Sequence, residues 1–128
     1  MKLFRLDTGR TEVVSMGGAT GVSVGGLIEL PGDIAVNLLR FSTHSRLPGH
    51  TAGRPQLFVV IDGDGWVSGD DGARAAIRTG EAAFWGPGEL HESGSDEGMT
   101  CIVVQAPQLD LPSGLETLEH PAILQLLA

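Results

Sequence analysis

The sequence predicts an all-β fold, a single small barrel of short strands joined by tight turns. Short runs of β-type residues recur along the 128 residues, and 19 glycines and 7 prolines are spread between them. Many short antiparallel strands avoid exposed sheet edges by closing into a barrel or a double-sheet jelly roll. A chain of this length builds one core, and no linker or repeat marks a second unit. We therefore expect one domain over residues 1–128.

Nine runs are predicted as strands, in chain order. They are Leu3–Leu6, Glu12–Ser15, Gly21–Val24, Ile34–Phe41, Gln56–Ile61, Gly65–Ser68, Arg74–Arg78, Ala82–Trp85 and Thr100–Gln105. Turn residues separate them at Pro31–Asp33, Asp62–Gly65 and Gly69–Gly72, and Gly25-Gly26 predicts a bend or bulge. The run from Pro121 to Leu127 differs, because a proline followed by strong helix formers predicts a short C-terminal helix.

The charge balance excludes several classes of partner. Sixteen acidic and eight basic side chains give a net charge of −8, which repels nucleic acid and anionic membrane surfaces. The N-terminus turns polar within a few residues and no run approaches the ~18 apolar residues of a membrane span, so neither a leader nor an anchor is expected. The single cysteine, Cys101, lies in an apolar strand and is expected to be a packed core thiol. These features fit a cytoplasmic protein.

Two segments hold most of the residues capable of chemistry. Residues 50–63 read HTAGRPQLFVVIDG and residues 80–91 read GEAAFWGPGELH. They resemble the two motifs of the cupin superfamily, G-x5-H-x-H-x3-E-x6-G and G-x5-P-x-G-x2-H-x3-N. His50 and His91 fall on histidine positions, whereas Ala52 replaces the second histidine of the first motif and Gln56 replaces its glutamate.

The other motif positions agree in part. The glycines at 63, 80 and 88 match, the opening glycine of the first motif falls on His44, and Ser95 replaces the final asparagine of the second. The resemblance implies a cupin jelly-roll barrel with its motifs at about residues 44–95. It also implies a divalent metal inside the barrel, for which this chain keeps His50, Gln56 and His91.

The chemistry of these three residues supports two interpretations. Imidazole nitrogens suit Fe, Mn, Zn, Ni or Cu, and an amide oxygen is a weaker ligand, so a metal site here would have reduced affinity and open positions. Without a metal, the same three polar groups would orient a small ligand in an apolar cavity. Both interpretations place the chemistry at His50, Gln56 and His91.

Further residues are candidates for the same site. Strand alternation places Gln56 and Phe58 on one face, and Trp85 adjoins the second motif, so both aromatic residues are expected to line the cavity as ligand-binding residues. Glu92 follows His91 and is a candidate general base beside the catalytic candidates His50 and His91. His44 and His120 are candidate supplementary ligands.

Three functions therefore remain open. The first is a small cupin that binds a divalent metal and acts on, or binds, a small oxygenated organic molecule, with the reaction type undetermined. The second is a binding or sensing module without catalysis. The third is a metal-free isomerase or cyclase in which His50 or His91 transfers protons. Resemblance to small cupins also implies a homodimer, formed through the terminal helix or an edge strand.

Overall fold

The computed structural model describes residues 1–5, 11–51 and 53–118, and within them the chain is built of strands alone. The strands are β1 (Glu12–Val13), β2 (Thr20–Glu29), β3 (Ala35–Thr51), β4 (Gln56–Ser68), β5 (Arg74–Arg78), β6 (Ala82–Trp85), β7 (Leu90–Ser95) and β8 (Met99–Gln105). The all-β prediction is confirmed. The predicted helix after Pro121 lies outside the described residues.

The barrel closes because β3 and β4 each pair with both β7 and β8. These four strands form a ring in which every contact is antiparallel. β2 extends the sheet beyond β3, and the short β1 pairs with β2. β5 and β6 both pair with β4. The first sequence motif lies on β3 and β4 of the ring, and the second runs from β6 into β7.

The two long strands bend where they change partner. Residues 35–41 of β3 pair with β8, and residues 45–51 pair with β7. Between these halves His44 has a φ of 55°, and the corresponding point of β4 is Gly63, with a φ of 85°. A Cβ at Gly63 would lie 2.3 Å from the Gly98 carbonyl oxygen, so glycine is required there.

The predicted turn at Asp62–Gly65 is wrong, because β4 runs through it with a register shift between Val60 and Asp62. The chain bends there without leaving the sheet, since β4 is paired with β8 before the bend and with β5 after it. The glycine pair at 25–26 lies in β2 beside a register shift between Gly26 and Ile28, which confirms the expected bulge.

The other predicted strands agree unevenly with the structure. β5 and β6 have the predicted bounds. Residues 3–5 are not a strand, and Leu6 lies outside the described part of the chain. β7 was not predicted, because its sequence, Leu-His-Glu-Ser-Gly-Ser, lacks the β-branched and aromatic residues that mark strands. Its pairing with β3 and β4 compensates for that weak local preference.

The core lies inside the barrel. Phe41 and Phe58 meet edge to face with ring centroids 6.1 Å apart, and apolar side chains of β3, β4 and β8 surround them. Cys101 is fully buried, and burial raises the pKa of its thiol to about 12. The thiol therefore stays protonated and packs as a core residue, as the sequence predicts.

Candidate functional site

His50 and His91 meet across neighbouring strands. They are direct partners in the register of β3 and β7, just after a register shift between Leu47 and His50. Their imidazole ring centroids lie 4.1 Å apart at an interplanar angle of 63°. Directly opposed residues of an antiparallel pair project from the same face, so this ring contact follows from the register. The two histidines that the sequence assigns to the site are brought together.

Backbone carbonyls fix the same tautomer in both imidazoles. Nδ1 of His50 lies 2.9 Å from the Pro48 carbonyl oxygen, and Nδ1 of His91 lies 3.1 Å from the Glu89 carbonyl oxygen. A carbonyl oxygen only accepts, so each Nδ1–H donates and each Nε2 carries a lone pair when the ring is neutral. Metal-binding histidines usually have this arrangement, with one nitrogen held by the protein and the other free to bind.

The Nε2 atom of His91 is buried and accepts no hydrogen bond from any residue that the structure describes. The side chain belongs to a residue that is only 4% exposed. Burial lowers the pKa of His91, and the nearby His50 lowers it further, against the opposing effect of the Glu89 carbonyl. At neutral pH the ring is therefore neutral. A buried acceptor without a donor is rare in folded proteins and indicates a missing partner.

Gln56 begins β4 on the inner face of the barrel. It is buried and is the register partner of Trp85, so the two side chains project from the same face. Gln56 is thus adjacent in the sheet to Trp85, whose ring stacks on His91.

Trp85 and Phe58 form an aromatic wall beside the histidines. Trp85 stacks on His91 with ring centroids 4.7 Å apart and an interplanar angle of 26°. Its indole N–H donates to the Ser68 carbonyl oxygen at 3.1 Å, and Phe58 meets it edge to face at 5.6 Å. Trp85 is therefore held in place by a hydrogen bond and two ring contacts, and it limits rotation of the His91 ring.

Glu92 lies on the opposite face of β7 from His91, since neighbouring strand residues alternate. Its carboxylate accepts a 2.7 Å hydrogen bond from Arg46 and a 3.0 Å bond from the Gly49 N–H, and it lies 3.6 Å from Arg74. Burial opposes its ionisation, but Arg46 and Arg74 together lower the pKa of Glu92. The carboxylate is thus ionised and already partnered outside the barrel, not beside the imidazoles.

Ser93 is a buried polar residue near the histidine pair that the sequence did not point out. It lies two residues beyond His91 on β7, and its register partners are Leu47 of β3 and Val67 of β4. Alternation places its side chain on the same inner face as His91. If β7 had been recognised as a strand, alternation from the inward-facing His91 would have predicted that Ser93 also faces inward.

The remaining candidates from the sequence are His44 and His120. His44 has a side chain that is 86% exposed, and its Nδ1 lies 3.9 Å from Asp96. His120 and Ala52 lie outside the described residues. Over residues 1–5, 11–51 and 53–118 no group of three or more His, Cys, Asp or Glu is arranged to hold a metal.

A cavity of about 500 Å³ lies next to the aromatic wall. Trp85, Val67 and Ile77 supply apolar lining, and Glu89 supplies a carboxylate, but neither imidazole is part of its wall. Trp85 therefore contacts both the histidine pair and this cavity.

Comparison with known proteins gives matches of structure only. A scan against models of protein families finds no match, and neither does a search of curated protein sequences. Among solved structures, the polyketide cyclase RemF from Streptomyces resistomycificus is similar with a TM-score of 0.72 and 21% identity, covering 98% of this chain and 93% of that one. The cupin domain of Schizosaccharomyces pombe Cnp3 is similar with a TM-score of 0.68 and 9% identity, covering 82% and 73%.

A cupin-like protein from Thermotoga maritima matches with a TM-score of 0.70 and 21% identity over 77% of this chain and 79% of that one. Two of these neighbours are described as a cupin domain and a cupin-like protein. The chain has the cupin fold. The histidines of the two motifs lie on neighbouring strands of this barrel, β3 and β7. No helix long and apolar enough to cross a membrane occurs among the described residues.

Proposed function

We propose that the barrel binds a small oxygenated organic molecule beside His50 and His91, and that Gln56 and the two imidazoles also provide a weak site for a divalent metal. The observation that carries this proposal is the buried Nε2 of His91, an acceptor with no donor among the described residues. An uncompensated buried polar group costs about 1–3 kcal/mol. A ligand hydroxyl or a metal ion would supply the missing partner.

The donor set fits a metal of the transition series. Both imidazoles are held at Nδ1 by carbonyls, so their Nε2 lone pairs are available, and the Gln56 amide adds an oxygen donor. A bound metal would supply Lewis-acid chemistry and, with few protein ligands, would keep open positions for an oxygen of the ligand. The backbone carbonyls of Pro48 and Glu89 hold the orientations of the two imidazole rings, and burial keeps His91 neutral.

The side chains around the histidine pair support a small organic ligand. Trp85 and Phe58 provide an aromatic wall, and the polar groups are few and clustered, which is typical of ligand pockets. Two of the solved neighbours are described as a polyketide cyclase and a predicted oxalate decarboxylase, and both names refer to oxygenated organic molecules. That likeness supports the ligand class and leaves the reaction open.

Metal-free proton transfer is the second candidate function. Its specific support is the lowered pKa of His91, because a neutral imidazole at pH 7 can accept a proton from a bound hydroxyl or an acidic C–H. His50, 4.1 Å away between ring centroids, would then return a proton. A binding module without catalysis would use the same groups for recognition alone.

Metal content distinguishes these functions. Untagged protein purified without chelator, and then reconstituted with Fe, Mn, Zn, Ni or Cu, is analysed by elemental mass spectrometry. We expect about one metal ion per chain in the native sequence, lost in His50→Ala and in His91→Ala. Gln56→Glu restores a carboxylate and should tighten binding about tenfold.

His44→Ala is the matched control, because that imidazole is exposed and lies outside the site. A metal-free native protein after reconstitution would contradict the metal site and leave ligand binding by the imidazoles. Metal that survives both site substitutions would place it elsewhere in the chain.

The homodimer and the cytoplasmic location expected from the sequence stay predictions. Sedimentation velocity at several protein concentrations tests the predicted homodimer.

A further inference from the structure

The cavity next to the aromatic wall lies at a gap between two short strands. β5 pairs with residues 64–68 of β4 and β6 pairs with residues 56–59, so the two strands lie on either side of the bend in β4. In the described sheet both pair with β4 and not with each other. Residues of both strands line the cavity, together with the turn that follows β4. The cavity is therefore open to solvent where the barrel wall is not closed.

The inner wall of this cavity is apolar. It is formed by Ala75 and Ile77 of β5, Ala83 and Trp85 of β6, and Val67 of β4. Two of these five side chains are alanines, which leave the space between the strands unfilled. The volume of about 500 Å³ lies within the range of about 300–1,000 Å³ that is usual for pockets that bind small molecules. The cavity thus has room for a substituted ring.

Glu89 places a carboxylate on this wall. Its Oε1 accepts a 3.0 Å hydrogen bond from the Gly86 N–H. A Cβ at Gly69 would lie 2.6 Å from Oε2 of Glu89 and 3.9 Å from Nε1 of Trp85, so both atoms border the space that glycine leaves at this position. The backbone therefore holds a carboxylate close to the indole of Trp85, at an otherwise apolar wall.

The charged side chains that line the cavity are all acidic. Asp70 and Asp71 accompany Glu89, and no lysine, arginine or histidine of the described residues is part of the wall. The ion pairs among the described residues involve other carboxylates. Oδ1 of Asp70 accepts a 2.7 Å hydrogen bond from the Leu90 N–H, which holds the turn beside Glu89. These three carboxylates repel an anion at the cavity and attract a cation.

We propose that this cavity is a second binding site, for a small organic cation that joins an ammonium group to an apolar ring. The ammonium group donates to the Glu89 carboxylate, and the ring lies against Trp85 and Ile77. Neither imidazole lines the cavity, so the site is separate from the one at His50 and His91. The inference does not rest on the function proposed for the histidine pair.

The two parts of the ligand follow from the two parts of the site. An inorganic cation would leave the apolar wall exposed to water, so it would gain nothing from the hydrophobic effect. A neutral molecule of the same shape would cover the wall but would lack a charge-assisted hydrogen bond to Glu89, which is about twice as strong as a neutral one. An organic ammonium ion uses both the wall and the carboxylate.

Fluorescence titration in a Trp66→Phe background tests the proposal, because Trp85 is then the only tryptophan. The probes are benzylamine, benzyl alcohol and benzoate, which share a ring and differ in charge, added at neutral pH to metal-free protein kept in chelator. We expect benzylamine to bind about tenfold more tightly than benzyl alcohol, and benzoate to bind most weakly. Glu89→Gln should remove the preference for the amine and leave the affinity for the alcohol unchanged, since an amide oxygen still accepts from the Gly86 N–H.

Three further variants serve as controls. Glu97→Gln is the matched control for charge, because Glu97 is exposed and is not part of the cavity wall, and it should keep the preference for the amine. Ala83→Leu fills the cavity and should weaken benzylamine at least tenfold. Its thermal unfolding midpoint shows whether the barrel stays folded, and Glu89→Gln tests the site even where it does not. His50→Ala should leave the affinity for benzylamine unchanged.

Several results would overturn the second site. Equal affinity for benzylamine and benzyl alcohol, or no binding of benzylamine, contradicts the ligand class. A preference for the amine that survives Glu89→Gln, or that Glu97→Gln also removes, shows that Glu89 is not its anchor. Loss of benzylamine binding in His50→Ala would place the amine at the imidazoles and not in the cavity.

Discussion

The polar side chains on the two faces of β7 differ in how fully they are hydrogen bonded. On the outer face, Glu92 is bonded to Arg46 and to the Gly49 N–H, and Arg74 lies close to its second oxygen. On the inner face, His91 is more deeply buried, and its Nε2 nevertheless lacks a partner among the described residues. A fold stabilised only by its own contacts would pair the inner groups first, because unpaired polar atoms cost most where water is excluded. Among the described side chains of β7, only the Nε2 of His91 is buried without a partner.

The outer face is also tightly packed, and Gly94 gives the largest expected effect. A Cβ there would lie 2.4 Å from a carbon of the Trp66 ring, which Arg74 covers at 3.6 Å from the ring centre. Gly94→Ala must displace the indole and break its contact with Arg74. We expect the free energy of unfolding to fall by about 2 kcal/mol in urea denaturation.

Gly86→Ala is the control for that substitution, since nothing lies within 4 Å of a Cβ at Gly86. Equal stability of the two variants would show that the outer face of β7 is looser than the distances indicate.

The two tryptophans provide a second comparison of inner and outer surroundings. Trp85→Phe removes the indole N–H bonded to the Ser68 carbonyl oxygen and leaves that buried acceptor unpaired, so we expect a loss of about 1–2 kcal/mol of unfolding free energy. Trp66→Phe keeps an aromatic face under Arg74 and should cost about 0.5 kcal/mol.

Proton NMR of the imidazoles adds a readout specific to the site. Loss of the stack on Trp85 should shift the His91 ring resonances, whereas Trp66→Phe should not. Unchanged His91 resonances in Trp85→Phe would remove Trp85 from the candidate site.

In an acid titration of the metal-free protein, His91 on the inner face and Glu92 on the outer face should lose their contributions to stability at different pH values. The pKa of His91 is lowered from 6.5 and that of Glu92 from 4.5, so each unfolded group binds a proton before its folded counterpart does. Both contributions to stability are thus complete above the unfolded pKa and are lost as the pH falls through the folded pKa. Stability should fall in one step below about pH 6.5 and in another below about pH 4.5.

Substitution assigns each step. His91→Gln should remove the first step and Glu92→Gln the second, measured as unfolding free energy against pH. Salt should weaken only the second, because the outer carboxylate and its arginines are partly exposed and are screened. A first step that survives His91→Gln would refute its assignment to the inner face.

The sequence predicted the barrel from its turn residues and the pair of histidines from the two spaced motifs. Both predictions were possible because these signals are local patterns in the sequence. The sequence could not predict which way the side chain of Glu92 points. Its closeness to His91 in sequence suggested a role beside the imidazoles, but alternation along β7 turns it outward. That strand is held by its pairing with β3 and β4, and its own residues give little sign of it. For the same reason Ser93 was overlooked.

Errors at bends have a related cause. Asp62–Gly65 has the composition of a turn, and the left-handed Gly63 does bend the backbone. Whether such a bend ends a strand depends on partners that are distant in sequence, here β8 on one side and β5 on the other. Local composition carries no information about them.

The ring of β3, β7, β4 and β8 also has a kinetic consequence. Ala35 pairs with Gln105, so the barrel cannot close until the chain has been made as far as Gln105 and these two residues have met. Such long-range pairings lose loop-closure entropy before the stabilising contacts form. Folding is therefore slow, on the order of milliseconds to seconds. Until β8 arrives, both long strands have unpaired edges, and the nascent protein is at its most exposed to aggregation during that interval.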